Sequence, residues 1–227
     1  MRIVPLIAID GPAASGKSTA ARRLAHKLRL PYLYTGAMYR ALTWLAMKKG
    51  VDLRDTRALK RMATDMHVTF KTDAKGGVRV FLRGGTDVSE ALQHPDVARN
   101  TSGFVASQMP VRQVLVARQR SYATSRGLVA EGRDCGSVIF PDAPFKFYVT
   151  ADFTERVARR KRDLDKIGHR LAISVIARDM KRRDREDRER PGGALLIMPD
   201  AWIIDNTRKS SDETIEMMTR RIRPYAV

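Results

Sequence analysis

The chain has 227 residues, of which 43% are hydrophobic and 30% are charged, a balance that is ordinary for a globular protein. Lys and Arg number 43 against 25 Asp and Glu, and the resulting net charge of +18 favours ligands that carry phosphate. No window of 18 apolar residues is present, the N-terminus does not resemble a signal peptide, and the single cysteine, Cys135, cannot form a disulfide within the chain, so we expect a cytoplasmic protein without a membrane span.

Strands and helices alternate from the N-terminus. LIAID (Leu6–Asp10) is a short apolar run followed by a glycine, which predicts a buried parallel strand. Apolar residues recur at helical spacing over Lys17–Leu28 and predict a helix there. LPYLY (Leu30–Tyr34) predicts a second strand, and AMYRALTWLAMKKG (Ala37–Gly50) predicts a helix that stops at its final glycine.

The loop between the first strand and the first helix, GPAASGKST, matches the complete P-loop pattern G-x-x-x-x-G-K-[ST]. In this pattern the backbone N–H groups of the loop and the positive end of the helix bind phosphate oxygens. We expect Lys17 to reach the β- and γ-phosphates and the Ser18 hydroxyl to bind Mg²⁺. The sequence therefore predicts a donor, ATP or GTP with magnesium, bound by Gly11, Pro12, Ala13, Ala14, Ser15, Gly16, Lys17, Ser18 and Thr19.

The middle of the chain changes character. Apolar and polar residues alternate over His67–Ser89 on both sides of Gly76–Gly77, which predicts an antiparallel hairpin. Because this hairpin interrupts an alternation of strands and helices, we interpret it as a small antiparallel insertion. Helical periodicity returns over Pro110–Thr124.

The C-terminal half alternates again. We predict buried strands at Gly127–Gly132 and Phe145–Ala151, a long and highly charged helical segment at Thr154–Arg190, a last strand at Ala201–Thr207 and a closing helix at Asp212–Arg223. The whole order predicts the α/β class, with a parallel sheet and helices on both of its faces.

TGAMYRA follows the second predicted strand. Thr35 is placed to cap the helix that follows, and Tyr39 and Arg40 lie one turn into it. A planar guanidinium that is always charged suits a bidentate grip on phosphate, so Arg40 is a candidate for a second phosphate site. The alternative interpretation is a surface arginine on an amphipathic helix.

EGRDCGSVIFPDAP follows another apolar strand, and ligand groups in parallel sheets cluster past the carboxyl ends of strands. Arg133 and Asp134 lie side by side there. A carboxylate accepts hydrogen bonds from an exocyclic amine such as N4 of cytosine, so this pair is suited to recognising a base edge. The alternative is an internal salt bridge. We interpret Cys135 as a small packing residue rather than a nucleophile.

KRRDREDRER closes the charged helical segment, and it allows two interpretations. Ion pairs four residues apart, such as Asp184 with Arg188, would make it a solvated surface helix. The same helical spacing also places Arg183, Asp187 and Arg190 within about 60° of one another on the helix. One face would then present two guanidiniums around a carboxylate.

Four segments occur in order: the glycine loop, TGAMYRA, GTDVSEAL and EGRDCGSVIFPDA. Together they resemble the bacterial cytidylate kinases, a family of P-loop nucleoside monophosphate (NMP) kinases, over nearly the whole chain. The resemblance implies transfer of the γ-phosphoryl group of ATP to CMP or dCMP, giving ADP and CDP or dCDP in pyrimidine nucleotide metabolism. It also implies a single domain over residues 1–227, with a core at 1–62 and 125–227, a helical lid around 155–195 and an inserted NMP-binding region at 63–124.

The resemblance also implies site residues. Around CMP it places Thr35, Tyr39, Arg40, Ser102, Arg112, Arg133, Asp134 and Asp187. The catalytic residues that the resemblance implies are Lys17, Arg133, Arg183 and Arg190. Arg133 and Asp134 match the cytosine readers, the lid arginines would meet the transferring phosphoryl group, and Asp187 would orient the arginines that face CMP. The implied partners are ATP, CMP or dCMP, and Mg²⁺, and we expect a monomer.

Other functions share the donor loop. The chain departs from the family by having Tyr34 where an acidic residue usually precedes TG. A kinase for another small acceptor, such as UMP or shikimate, would also need a P-loop. The net charge of +18 would suit an ATPase stimulated by nucleic acid. Aromatic residues are only 7% of the chain, and no clear run of them is interleaved with Lys and Arg, which argues against a nucleic-acid partner.

Overall fold

The computed structural model describes residues 5–72 and 77–223. The strands are β1 (Leu6–Asp10), β2 (Tyr32–Tyr34), β3 (Val68–Thr72), β4 (Val78–Leu82), β5 (Leu128–Gly132), β6 (Phe145–Thr150) and β7 (Trp202–Asp205). The α-helices are α1 (Lys17–Leu28), α2 (Thr35–Lys48), α3 (Thr56–Asp65), α4 (Pro95–Asn100), α5 (Met109–Arg120), α6 (Phe153–Lys166), α7 (Ile173–Glu189) and α8 (Ser211–Ile222). Within these two ranges, no helix has both the length and the apolar character needed to cross a membrane.

A five-stranded parallel sheet forms the centre of the molecule, in the order β2-β5-β1-β6-β7. Strand β1 lies in its middle, and Ile7 is aligned with Val129 of β5 and with Phe145 of β6. Every residue of β5 is buried, as expected for a parallel strand that is covered on both faces. The predicted parallel sheet is confirmed.

Helices cover both faces of this sheet. Successive side chains of β1 point to opposite faces, so Ile7 and Ile9 pack in one apolar cluster while Ala8 packs in another. The cluster around Ile7 and Ile9 contains residues of α1 and α8, such as Leu24 and Met218. The cluster around Ala8 contains residues of α2, α3 and α5. Two layers of helices on one sheet confirm the predicted α/β class.

The predicted hairpin is also present. Strands β3 and β4 pair in antiparallel fashion, from Val68 opposite Leu82 to Thr72 opposite Val78. Gly76, which we placed in its turn, lies outside the described residues. The hairpin forms a second, two-stranded sheet apart from the parallel one. Helix α3, which precedes it, was not predicted; Asp55 caps this helix by accepting a hydrogen bond from the backbone N–H of Ala58 at 2.9 Å.

Two details of the prediction are wrong. The charged segment at 154–190 is not one helix but two, α6 and α7, because the chain leaves the helix at Gly168 with a φ of 83°. Glycine adopts this left-handed conformation without steric cost, which makes it a common helix terminator. Thr35 does not cap α2 either: Tyr34 is the cap residue, and the Thr35 hydroxyl donates to the carbonyl of Glu131 at 2.9 Å.

A buried ion pair connects the two charged helices to the P-loop. Arg156 of α6 donates from Nη2 and Nη1 to the two carboxylate oxygens of Asp184 of α7, at 2.7 and 3.2 Å. Arg156 Nη1 also donates to the carbonyl of Ala13 at 3.2 Å. Because both side chains are buried, each would leave an uncompensated charge if the other were removed.

We therefore expect Arg156→Met to lower the free energy of unfolding by roughly 3–5 kcal/mol. Arg162→Met on the same helix is the control, because Arg162 is exposed and its ion pair with Glu155 lies at the surface. The control should change stability by about 0.5 kcal/mol or less. Urea unfolding followed by circular dichroism measures both variants. Equal losses of stability would contradict a special role for the Arg156–Asp184 pair.

Candidate active site

A cavity of about 610 Å³ lies past the carboxyl ends of the central strands, between the P-loop, the insertion and the helices α6 and α7. Basic side chains greatly outnumber acidic ones in its wall, which suits a site for polyanions. The predicted residues in the wall are Ala13, Ala14, Gly16, Lys17, Ser18, Thr19, Thr35, Tyr39, Arg40, Ser102, Arg112, Arg133, Asp134, Arg183, Asp187 and Arg190. Gly11, Pro12 and Ser15, also predicted, are buried beneath the P-loop surface.

The P-loop is supported from below by two residues that the sequence analysis did not identify. Asn206 Nδ2 and Arg159 Nη1 donate to the carbonyl of Ser15, at 2.9 and 3.3 Å. A Cβ on Gly16 would lie 2.2 Å from Asn206 Nδ2, so glycine is required for this close approach. Asn206 follows directly after β7, and its position at the carboxyl end of a parallel strand was the available signal.

Lys17 is held inside the loop. Its Nζ donates to the carbonyl of Pro12 at 3.0 Å, and only 5% of the residue is exposed. Burial lowers the pKa of Lys17 to about 7, and the positive charges of Arg133 and Arg183 act in the same direction, while Glu131 opposes them. The amine is therefore poised to gain a proton when phosphate enters the cavity.

Glu131 was not predicted as a site residue, although it begins the EGRD segment. It is fully buried at the end of β5, and its Oε1 accepts hydrogen bonds from the Ser18 hydroxyl at 2.9 Å and the Tyr32 hydroxyl at 3.3 Å. Its Oε2 is buried and has no hydrogen-bond partner among the described residues. A buried carboxylate oxygen beside the P-loop serine suits a hard cation such as Mg²⁺.

Asp10 connects the P-loop strand to the turn after β5. Its carboxylate accepts hydrogen bonds from the backbone N–H groups of Cys135 and Gly136, at 2.9 and 2.8 Å. Burial raises the pKa of Asp10 to about 6, although these hydrogen bonds act against the rise. The turn that carries Arg133 and Asp134 is thereby held at a set distance from the P-loop.

Asp134 pairs with Arg112 rather than with its neighbour Arg133. The two side chains form a buried ion pair in the cavity wall, and Arg112 also donates from Nε and Nη2 to the carbonyl of Gly192, at 3.3 and 3.1 Å. The ring of Tyr39 lies 5.7 Å from the Arg112 guanidinium, and its buried hydroxyl has no hydrogen-bond partner in the described part of the chain. The side chains of Asp134, Arg112 and Tyr39 thus form one polar surface.

Ser102 and Arg40 line the cavity on the side of α4 and α2. The Ser102 hydroxyl donates to the carbonyls of Ala98 and Arg99, each at 3.3 Å, so its oxygen retains a lone pair for a ligand. Arg40 Nη1 donates to the carbonyl of Leu92 at 3.2 Å, and its guanidinium lies 5.7 Å from the centre of the Tyr34 ring. Arg40 is therefore not a free surface arginine.

Asp187 pairs with two arginines from different parts of the chain. Arg133 Nε donates to its Oδ2 at 2.6 Å, and Arg190 donates to its other oxygen. Burial opposes ionisation, but Arg133, Arg183 and Arg190 outweigh it and hold the pKa of Asp187 well below its ordinary value. The structure places Arg183, Asp187 and Arg190, which the helical spacing grouped, in the wall of one cavity. The alternative surface pairing is wrong, because Asp184 pairs with Arg156 instead.

Arg183 has no carboxylate within ion-pairing distance among the described residues. Burial lowers its pKa to about 9, and the charges of Arg40 and Arg133 add to that effect. Its Nε is buried and makes no hydrogen bond in the described part of the chain. A guanidinium that is desolvated beside other cations indicates a position prepared for an anion.

Two contacts join the region of α4 to the region of α6 and α7. The rings of His94 and His169 meet edge to face, with centroids 4.9 Å apart. Arg99 Nη2 and Asp179 Oδ2 lie 3.5 Å apart on α4 and α7. The insertion and the charged helices are therefore in contact with each other beside the cavity.

Comparisons with known proteins agree with the resemblance that the sequence motifs showed. The family model described as cytidylate kinase matches residues 7–224. The chain is 43% identical over 222 residues to the cytidylate kinase of Pelotomaculum thermopropionicum, covering 98% of this chain and 97% of that protein. It is 39% identical over 218 residues to the cytidylate kinase of Caldanaerobacter subterraneus subsp. tengcongensis, covering 96% and 94%. The crystal structure of TT1252 from Thermus thermophilus shares the fold, with a TM-score of 0.50 at 17% identity, covering 99% of this chain and 100% of that one.

The pKa of Lys17 leads to a prediction. At pH 8 the pH lies above the pKa of about 7, so the amine is mostly neutral in the empty site. Phosphate raises that pKa, and binding of ATP should therefore take up about one proton at pH 8 and progressively less towards pH 6. Isothermal titration in buffers of different ionisation enthalpy measures the uptake. Lys17→Met is the control and should abolish it; equal uptake in both proteins would contradict the assignment.

Proposed function

The chain belongs to the cytidylate kinase family, whose members are nucleoside monophosphate kinases, and we propose that the cavity described above is where it transfers the γ-phosphoryl group of ATP to CMP or dCMP. The products are ADP and CDP or dCDP. The observation that carries the site assignment is the presence of a P-loop, a buried Asp134–Arg112 pair and the Asp187 arginine cluster in the wall of one cavity.

The donor binds on the P-loop side. Backbone N–H groups of the loop and the N-terminus of α1 receive the phosphates, and Lys17 adds a positive charge. The oxygens of Ser18 and Glu131 would hold Mg²⁺, and the unpartnered Oε2 of Glu131 supports this assignment. When bound, the ion neutralises charge on the β- and γ-phosphates.

The cytosine base binds at the Asp134–Arg112 pair. A carboxylate accepts hydrogen bonds from the N4 amine of cytosine, and a guanidinium donates to ring acceptors. Uracil has a carbonyl oxygen in place of that amine, which would face the Asp134 carboxylate and be repelled. The pair therefore selects CMP and dCMP over UMP.

Phosphoryl transfer needs alignment and charge stabilisation more than covalent chemistry. Arg40, Arg133 and Arg183 surround the space between the acceptor and the P-loop and offset the repulsion between the two polyanions. Asp187 holds Arg133 and Arg190 in position without neutralising Arg183. An ionised phosphate acceptor requires no general base. Closure of the lid over these groups excludes water, which would otherwise consume ATP.

The remaining sequence-based expectations stay proposals. We assign the NMP-binding role to the insertion at residues 63–124 and the closing role to the lid around 155–195; their contact beside the cavity supports both roles. Cytoplasmic location, a place in pyrimidine nucleotide metabolism and the monomeric state stay predictions. The single buried cysteine agrees with a reducing compartment, and burial raises the pKa of its thiol, as expected for a packing residue.

The proposal is tested by ADP formation from Mg-ATP with CMP, dCMP, UMP, AMP, shikimate and no acceptor. CMP and dCMP should be the strong acceptors. Asp134→Asn should lower kcat/KM for CMP by roughly 10- to 100-fold and leave that for UMP nearly unchanged, because the lost interaction is specific for the cytosine amine. Equal turnover of UMP and CMP by the natural chain would contradict the base assignment. Turnover without any acceptor, stimulated by DNA or RNA, would contradict the kinase assignment.

Glu131→Gln tests the metal site. The uncharged amide should raise the Mg²⁺ concentration for half-maximal turnover by roughly tenfold or more. ATP binding measured by titration calorimetry should weaken in the presence of Mg²⁺ and stay unchanged with EDTA, which separates metal binding from loop damage. Tyr32→Phe is the matched control, since it removes the other hydroxyl on Glu131 Oε1 and keeps the carboxylate. If Glu131→Gln weakens ATP binding as much with EDTA as with Mg²⁺, the assignment of Glu131 to the metal site is contradicted.

A further inference from the structure

Helix α6 carries four arginines, and three of them have partners in the structure. Arg156 pairs with Asp184, as described above, and Arg162 forms an exposed ion pair with Glu155. Arg159 donates to Glu155 at 2.9 Å and to the carbonyls of Ser15 and Asn206. Arg160 is the fourth, and it makes no hydrogen bond and no ion pair within residues 5–72 and 77–223.

Arg160 is half-buried in the cavity wall, together with Tyr34, Arg40 and Arg183. Burial lowers its pKa, and the charge of Arg40 adds to the effect, against weaker opposing contributions from Asp163 and Tyr34. Two guanidiniums in one cavity wall, one on α6 and one on α2, thus repel each other, and neither forms an ion pair with a carboxylate in the described part of the chain.

This arrangement is unfavourable in the empty protein. Removing a charge from water without a partner costs free energy, and like charges nearby add to the cost. Unpaired, partly desolvated arginines of this kind are expected where a ligand supplies the missing negative charge. The ligand is an anion that fits the cavity of about 610 Å³, because both Arg40 and Arg160 line its wall.

The topology indicates which anion this is. Tyr34 ends β2, whereas the P-loop follows β1, and β5 lies between these two strands in the sheet. Arg160 lines the same cavity as Tyr34 and Arg40 and interacts electrostatically with both, while Arg159 contacts the P-loop. The donor phosphates occupy the P-loop side, so the phosphate near Arg160 belongs to the acceptor.

We propose that Arg160 and Arg40 form a two-sided clamp on the phosphate of the nucleoside monophosphate. Because one arginine lies on the lid and the other on the core, the acceptor phosphate itself joins the two parts and favours closure over the complete substrate. A nucleoside without phosphate leaves the two guanidiniums repelling each other. This inference rests on the proposed function and adds a phosphate-contacting residue to it.

The experiment compares Arg160→Met with Arg220→Met, which removes the same charge from an exposed position on helix α8, outside the cavity wall. Calorimetric titration with CMP should show affinity reduced roughly 10- to 100-fold in Arg160→Met, the loss expected for a charge-assisted contact. Cytidine, which lacks the phosphate, and ATP should each bind within about twofold of the natural chain. Arg220→Met should match the natural chain for all three ligands, and Arg160→Lys should recover part of the CMP affinity.

Thermal unfolding separates binding from a structural role. Without ligand, Arg160→Met should melt at the same temperature as the natural chain or higher, because a repulsive contact has been removed; a lower melting temperature would overturn the proposal. Equal losses of cytidine and CMP affinity, or unchanged CMP affinity in Arg160→Met, would overturn it as well. CMP turnover by the natural chain is measured alongside. If the natural chain does not turn over CMP, both the proposed function and this inference are wrong. If the natural chain turns over CMP and Arg160→Met binds CMP with unchanged affinity, only the clamp is wrong.

Discussion

Repulsion among buried cations is the constraint around which this molecule is organised. Lys17, Arg40, Arg133 and Arg183 surround one cavity, and the pKa values of Lys17 and Arg183 are lowered because burial and like charges disfavour their charged forms. The protein keeps these groups together because a hydrophobic core on each face of the sheet holds the elements that carry them. Keeping these positive charges together in the empty site costs free energy. Two phosphate-bearing ligands would supply the missing negative charges, so the site favours their binding.

A few carboxylates reduce the repulsion among these positive charges without cancelling the net positive charge of the cavity wall. Asp10 accepts two backbone N–H groups and so sets the distance between the P-loop strand and the turn after β5. Asp187 holds Arg133 and Arg190, and Glu131 holds the P-loop serine. Each acid binds and orients neighbouring groups, and none pairs with Arg183. Arg183, to which we assign a role at the transferring phosphoryl group, thus stays available for it.

Local patterns in the sequence determined most of the fold. Short apolar runs predicted all five strands of the parallel sheet, because strands covered on both faces, such as β5, need continuous apolar side chains. The P-loop pattern and the helix after it were predicted at the right residues, since phosphate binding and helix entry both depend on adjacent positions. The boundary at Gly168 was missed because a glycine inside a long charged segment is a weak signal beside helical periodicity.

Which side chains meet was decided by the tertiary structure alone. Spacing suggested Asp184 with Arg188 and Arg133 beside Asp134, yet Asp184 pairs with Arg156, and Asp134 pairs with Arg112 from the insertion. Sequence by itself determined the residue types at the site, the strand ends that carry them and the family they resemble. It left open the long-range pairs, the support that Asn206 gives the P-loop and the isolation of Arg160, because these depend on how distant elements pack, and no local pattern records that packing.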